Sequence, residues 1–534
     1  MNHVCNRGRG SIFATLVAAT LLLSACGSGS DSASSDFSVG STPPPAVAGI
    51  PADSTRIDDA VSQVPDLARK LLERSGVPGL AVAVVRDGKT VYVGGFGVKD
   101  IRRQDDSVNA DTVFQIASVS KAVSATVVAG QVGSRGIEWS MPIVNGIAGF
   151  TLTDPYVSAH VTLADMFSHR SGLPDHAGDN LEDVGYSRDQ VLERLRYLSL
   201  APFRTQELYT NFGVTAAATA VANKAGESWE DLSAHTLFGP VGMSSTSARY
   251  SDFLTRSNRA TLHAKVDGKF QPLYQRDADA QAPAGGVSSN VKDLAKWMTL
   301  LLAGGKYEGK QAIPEEALLE AMTPQLALQS GQTDFRPAAT GFGFNISSEP
   351  SGRSILSHSG AFASGAATNF VLVPSLNIGI VVLTNGAPVG VPETLTKEFT
   401  DLAQYGRITT DWLTEYAKIM PSSEPEGELV GRTPPPNATP ARPLDTYAGV
   451  YANNYFGPLT VISNGTTLKM SIGPKNQTFA LTHFDGDTFT FEPSGENANH
   501  GSVSQVRFAY AGDRARSVWV EFWDQDRQGT FTRR

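Results

Sequence analysis

The sequence predicts an α/β layered domain followed by a small antiparallel β-barrel or sandwich, and three observations carry this. Apolar runs of strand length stand near both ends of residues 51–420, with helical periodicity between them. A Pro-rich polar stretch follows at 421–443 and reads as an interdomain linker. Short strands separated by turn signals then fill 444–534. A chain of 534 residues exceeds what one core holds, and 41% hydrophobic with 18% charged residues is ordinary for a globular protein. The formal charge of −9, without a dense Lys/Arg run, argues against nucleic acid as the main partner.

At the amino terminus, Arg7 and Arg9 precede a mostly apolar run from Ile12 to Leu23. That run is too short to span a bilayer, and the layout is that of a secretory signal peptide over residues 1–25. It ends in Leu23-Ser24-Ala25-Cys26, which resembles a bacterial lipobox. The resemblance implies cleavage before Cys26 and lipidation of its thiol, so that several acyl chains anchor the protein on the cell envelope. Gly27 after that cysteine favours the outer membrane where the host has two. The chain's other cysteine, Cys5, would leave with the signal, so the mature protein has no disulfide. Residues 26–50, Gly/Ser-rich and then stiffened by Pro43, Pro44 and Pro45, read as a flexible tether.

Within the first domain, "GLAVAVVRDGKTVYVGGFGV" is an antiparallel hairpin around the Asp87-Gly88 turn. "TNFVLVPSLNIGIVVLTN" gives a second strand pair, Phe370 to Val373 and Ile378 to Leu383, the latter apolar enough to be covered on both faces. Between them, Leu294, Trp297, Met298 and Leu301 recur at helical spacing and the run stops at Gly304. One sheet built from both ends with a helical insertion follows. Beyond 443, runs such as "LTVIS", "LKMSI", "FALTHF" and "SVWVEF" alternate with turn signals at Asn464-Gly465 and Asp485-Gly486.

The chemistry begins at Ser118 and Lys121, which share one face of a helix at i and i+3. A serine hydroxyl needs a base to become a nucleophile, and a lysine is a base only when burial or a helix dipole keeps it neutral. The apolar residues that follow, Ala122 to Ala129, make that helix buried. Spacing alone is weak evidence, because Ser289 and Lys292 repeat it at an exposed-looking helix start. Two further elements distinguish them. Tyr209-Thr-Asn211 offers a phenol for proton transfer and an amide for substrate. His358-Ser-Gly360 brings a glycine for close backbone approach and the amide of Ala361 for an oxyanion. Each has a decoy, Tyr451-Ala-Asn453 and His176-Ala-Gly178. Only Ser118, Tyr209 and His358 give the three elements in order along the chain.

In that order the motifs resemble the serine β-lactamase and penicillin-binding protein superfamily, in the branch of class C β-lactamases, DD-carboxypeptidases, D-aminopeptidases and related esterases. The resemblance runs from about residue 55 to 405 and includes "MFSHRSGLPDH", "FGPVGMSST" and "AGGVSSNVKDLAKWM", the last making Ser289 a structural serine at a helix start. It implies a β-lactamase-like antiparallel sheet flanked by helices, with a helical subdomain. It implies further that Ser118 forms an acyl-enzyme, Lys121 takes its proton, and Tyr209 serves the leaving group and the attacking water. By the same resemblance Asn211 binds a substrate carbonyl, and the amides of Ser118 and Ala361 form the oxyanion hole. His358 stands where many β-lactamases carry lysine, and His169 fixes a loop beside the site.

Histidine is largely neutral at pH 7 and offers no permanent charge to a substrate carboxylate, which favours a peptidase or amidase on short or D-residue-containing peptides. An esterase on short acyl esters is the near alternative, then a β-lactamase, and from another class a catalytically silent envelope-binding protein. No Gly-x-Ser-x-Gly elbow is present, and the nine histidines do not cluster at metal-ligand spacing, so neither a metal nor a cofactor is implied. "LDTYAGVYANNYFGPLTV" with its following strands resembles the lipocalin-like domain appended to some of these hydrolases. It serves either as a stability or oligomerisation module or as a cap on the substrate entrance.

Overall fold

An eight-stranded antiparallel sheet built from both ends of the first domain organises the molecule. The computed structural model describes residues 52–328, 336–420 and 423–534. The predicted signal segment, Cys26 and the tether to residue 50 lie outside the described residues. Strands β1 (Gly79–Arg86) and β2 (Lys89–Gly97) form the expected hairpin. Six more come from the far end: β3 (Leu326–Leu328), β4 (Ala338–Thr340), β5 (Asn345–Ser348), β6 (Ser354–Phe362), β7 (Ala366–Val373) and β8 (Ile378–Thr384). The order across the sheet is β2-β1-β8-β7-β6-β5-β4-β3, so β1 pairs with β8 and closes the two termini together.

Helices cover both faces. Helix α1 (Ser54–Ser75) packs with a helix near the end of the domain, Val391–Tyr405, against one face. On the other lie α2 (Ser120–Ala129), α3 (Asn211–Ala225) and α4 (Val291–Leu302). Strand β8 is buried along its whole length, as a strand between two helical layers must be. Leu294, Trp297, Met298 and Leu301 of α4 are buried as their spacing requires.

Ser289 departs from its expected place. It is fully buried, pairs with Phe114 in a two-stranded bridge, and shares a hydrogen bond with Thr246 at 2.8 Å. The cap of α4 is Asn290, whose side chain accepts from Asp293 N, while Lys292 turns outward to Asp111. The Ser289/Lys292 pair is therefore structural, but as a bridge residue and a surface lysine rather than a helix start.

Eight strands between Gly449 and Arg533 close into an antiparallel barrel. The preceding stretch from 423 is strapped along it: Val503 N donates to Glu426 O at 2.9 Å and Gly486 N to Thr439 O at 2.8 Å. Barrel aromatics such as Tyr455, Phe456 and Trp523 belong to the same apolar core as Val184 and Tyr186 of the first domain. Among the described residues no helix is long and apolar enough to cross a membrane.

Candidate active site

Ser118 sits on a single 3-10 turn, Ala117–Val119, that leads directly into α2. Ala117 holds a left-handed φ of 46°, an uncommon and strained conformation for alanine that turns the serine out of the helix start. Every residue of α2 is buried, Lys121 included, as the apolar run requires. Gly360 of β6 presses against the turn: a Cβ there would stand 2.4 Å from Ile116 O and 2.8 Å from Ser118 N. Any larger residue would push the nucleophile turn off the sheet.

Lys121 Nζ lies 3.0 Å from Ser118 Oγ, 2.7 Å from Asn211 Oδ1 and 3.0 Å from Ala284 O. Full burial pulls its pKa from 10.5 down to about 7, with the negative Asp179 opposing the shift. A neutral amine has two hydrogens and one lone pair. The hydrogens go to the two carbonyl-type oxygens, which can only accept, and the lone pair faces Ser118 Oγ. Tyr209 Oη donates to the same Oγ at 2.7 Å. Burial raises the Tyr209 pKa, so the group is a phenol and not a phenolate. Ser118 Oγ thus has a proton acceptor on one side and a donor on the other.

His358 is buried on β6, and its Nδ1 lies 2.6 Å from Ser359 O. Burial and the nearby Lys121 push its pKa down to about 4, so the ring is neutral. Because a carbonyl oxygen only accepts, Nδ1 carries the hydrogen and Nε2 is left as an acceptor. Strand β5 pairs only with Ser354–Ser357 of β6, so from His358 to Phe362 one edge of β6 runs on without a neighbour. Ser118, His358, Gly360 and Ala361 all line one cavity of about 1130 Å³ with Tyr209 and Asn211. All seven residues expected at the site therefore come together.

His169 also behaves as expected. Its Nδ1 accepts from Thr210 N at 3.1 Å, its carbonyl accepts from Leu208 N, and its ring packs on Tyr209 at 4.6 Å between centroids. The decoy Tyr451 is structural, donating to Tyr447 O within the barrel. The decoy His176 is not remote: its ring lies 5.7 Å from that of Tyr209, and its Nδ1 is 2.8 Å from Asp179 Oδ2.

Asp179 is the residue that sequence reading missed. Its Oδ2 accepts from Asn211 Nδ2 at 2.8 Å, which fixes the amide so that Oδ1 faces Lys121. The only local signal was an acidic residue three positions after His176. The barrel residues at the site had no signal at all. Glu496 accepts from Ala363 N at 2.5 Å, just past the free edge of β6, and Asp183 in turn accepts from Glu496 N at 3.1 Å and Asn497 N at 3.0 Å. Gln525 and Asp526 complete that wall of the cavity. Among the described residues, no group of three or more His, Cys, Asp and Glu is placed to hold a metal ion.

Two family models match the chain. One, described as Beta-lactamase, covers residues 64–404, and the other, a domain of unknown function (DUF3471), covers 433–532. Unguisins hydrolase ungD of Aspergillus violaceofuscus is 24% identical over 82% of this chain and 83% of its own length. Penicillin-binding protein 4 of Amycolatopsis lactamdurans is 27% identical over 70% of this chain and 93% of its own. The D-alanyl-D-alanine-carboxypeptidase/endopeptidase AmpH of Escherichia coli is 22% identical over 61% and 86%. Among solved structures, the octameric penicillin-binding protein homologue from Pyrococcus abyssi superposes with a TM-score of 0.57 at 18% identity, over 88% of this chain and 99% of that one.

Proposed function

Since the chain belongs to the beta-lactamase family of serine hydrolases, we propose that it cleaves amide bonds of short or D-residue-containing peptides through an acyl-enzyme on Ser118. The observation that carries this reading is the arrangement around Ser118 Oγ, with the buried Lys121 amine at 3.0 Å and the Tyr209 phenol at 2.7 Å. Lys121 takes the hydroxyl proton as Oγ bonds to the substrate carbonyl carbon. The carbonyl oxygen becomes an oxyanion, received by the amides of Ser118 and Ala361. Collapse of that intermediate expels the leaving nitrogen, which takes a proton from Tyr209 Oη while Lys121 returns one to the phenol. Water then repeats the sequence on the acyl-enzyme. Asn211 holds the substrate carbonyl as well as Lys121.

The neutral His358 supports a peptidase over an enzyme that grips a β-lactam carboxylate, and the similarity to AmpH, a D-alanyl-D-alanine-carboxypeptidase/endopeptidase, points the same way. Cys26 is read as the lipidated residue, which puts the enzyme on the periplasmic face of the cell envelope, at the outer membrane where the host has two. The basic leader, the apolar run and the lone cysteine after it support that reading. The barrel is read as a wall of the substrate entrance.

Labelling tests the nucleophile. Fluorophosphonate should modify the wild type at Ser118, and an adduct of it or of fluorescent penicillin that persists in Ser118→Ala would sink the assignment. A panel of D- and L-dipeptides, p-nitrophenyl esters and a β-lactam then orders the activities. Faster turnover of esters or of the β-lactam than of every peptide would replace the peptidase reading. Release of the protein from membranes by Cys26→Ala tests the anchor.

A further inference from the structure

Of the three oxygens around Lys121 Nζ, Ala284 O is the one supplied by backbone. It belongs to a fully buried turn, Ala282–Gly286, none of whose residues lines the catalytic cavity among those described. That turn and Val287 after it are tied to the nucleophile region at four points. Ile116 N donates to Val287 O at 2.9 Å, and Val287 N donates to Ser120 Oγ at 3.1 Å, so Val287 brackets the turn that carries Ser118. Lys121 Nζ meets Ala284 O, and Ser124 Oγ donates to Pro283 O at 2.6 Å. Ser120 and Ser124, four residues apart, lie on one face of α2.

Ser124 does not bond as a helical serine usually does. A buried hydroxyl in a helix commonly donates to the carbonyl four residues back, as Thr126 does to Ala122 O at 2.9 Å on this same helix. Ser124, 1% exposed, reaches across to the neighbouring segment instead, and its partner carbonyl stands one peptide before that of Ala284. The Ala284 carbonyl in turn decides where the lone pair of Lys121 points. Asn211 Oδ1 and Ala284 O can only accept, so each holds one amine hydrogen and the lone pair is left to Ser118 Oγ. With Ala284 O withdrawn, the amine is free to turn a hydrogen toward Oγ, and it then donates to the nucleophile instead of taking its proton. The same carbonyl favours the ammonium over the amine, because a hydrogen bond to a charged donor is the stronger one. Its withdrawal therefore makes Lys121 easier to deprotonate and worse aimed.

We infer that Ser124, with Ser120, is a positioning residue for the general base: the two hydroxyls hold the 282–287 segment so that Ala284 O aims Lys121 at Ser118. The inference rests on the serine-hydrolase reading and adds to it two side chains that do not line the catalytic cavity. The titratable groups that face Lys121 come from other elements. They are Asp179 from its short helix, His169 and His176 from the loop before it, His358 from β6, and Tyr209, whose ring lies 4.5 Å from Nζ. Ser120 and Ser124 bond to none of them among the described residues.

Fluorophosphonate labelling of Ser118 in the full chain, followed by mass across pH, tests this without a known substrate. The wild type should show an acid limb near pH 7 that Lys121→Met loses. In Ser124→Ala the limb should move to lower pH by about half a unit or more. The plateau rate should fall about tenfold, part of what a general base supplies, with the probe's binding constant unchanged. Ser120→Ala, which frees the other end of the segment, should move the limb the same way and carries the test if Ser124→Ala does not fold. Thr126→Val is the control, a fully buried hydroxyl of the same helix that accepts from Trp297 Nε1. Its melting temperature should fall while its limb stays in place. A limb that stays or rises in the serine variant, one that survives Lys121→Met, or an equal shift in Thr126→Val overturns the positioning role, while Ser118 labelling keeps the hydrolase reading. Absence of Ser118 labelling in the wild type removes both.

Discussion

Lys121 must be neutral to take a proton from Ser118, and its pKa of about 7 sets where that holds. The rate constant kcat/KM should rise with pH below about 7 and level above it, since only the deprotonated amine is competent. Lys121→Met should remove that rise along with about 10²–10⁴ of the rate. Stability carries the same signature with a definite sign. The unfolded amine titrates near 10.5 and the folded one near 7, so between those values the unfolded chain binds more protons. Stability contributed by this group therefore increases from pH 7 toward pH 10, by at most about 1.4 kcal/mol per pH unit. Urea melts at pH 7.5 and 9.5 should show a difference in the wild type that Lys121→Met loses. At this scale Ser118, Lys121, Tyr209, Asn211 and His358 were legible because their order along the chain excluded the decoys. Asp179 was not, because its role depends on a hydrogen bond to Asn211 that no local spacing encodes. The tautomer of His358 depends equally on the carbonyl of Ser359, which only the strand's conformation brings to the ring.

The elements that hold these residues depend on one buried carboxylate beneath the loop from Ser168 to His176. Asp165 is fully buried and accepts from Thr162 N and Oγ1, from Arg170 Nε at 2.8 Å and from Arg204 Nη2 at 2.7 Å. Burial alone would raise its pKa, but the hydrogen bonds from Arg204, Arg170 and Thr162 outweigh burial and hold it below 3.8. Arg170 reaches this carboxylate from within that loop and Arg204 from a later stretch of chain, while the loop supplies His169 and Asp175 to the cavity. Asp165→Asn leaves two guanidinium groups facing a neutral amide, a change that costs roughly 3–5 kcal/mol when the pair is buried. The half-exposed Arg204 puts this case toward the lower figure. A folded pKa below the unfolded one means the contribution is present above about pH 4 and lost as acid titrates the folded group. Equilibrium melts at pH 7 should therefore separate wild type and Asp165→Asn more widely than melts at pH 3. The sheet strands were legible from their apolar runs, and α4 from its helical period. The left-handed Ala117 and the bridge formed by Ser289 were not, because both are imposed by packing against β6 and Phe114 and not by local propensity.

At the scale of the whole molecule, the barrel's existence was legible in its repeated short strands, but its part in the site was not. Glu496 and Asp526 follow no motif and reach the cavity only because the barrel is seated on residues 178–186. That seat joins the two halves in a way that a single hydroxyl can test. Tyr455 Oη, buried at the junction, accepts from Gly178 N at 3.0 Å. The neighbouring Tyr186 Oη donates to Phe456 O at 2.7 Å, and Asp183 receives the amides of Glu496 and Asn497. Tyr455→Phe keeps the ring and its edge-on contact with Phe456 but strands the Gly178 amide, which costs roughly 1–3 kcal/mol for a buried unsatisfied donor. Gly178 is also the residue before Asp179, so the loss falls on the turn that orients Asn211 toward Lys121. Two measurements follow from that adjacency. The melting temperature of Tyr455→Phe should fall by several degrees, and kcat should fall with it at a temperature where the variant remains folded. A variant at the far side of the barrel, Ile462→Thr on an exposed strand position, should change neither. If Tyr455→Phe melts lower yet keeps full kcat, the barrel steadies the first domain without setting the geometry of its active site.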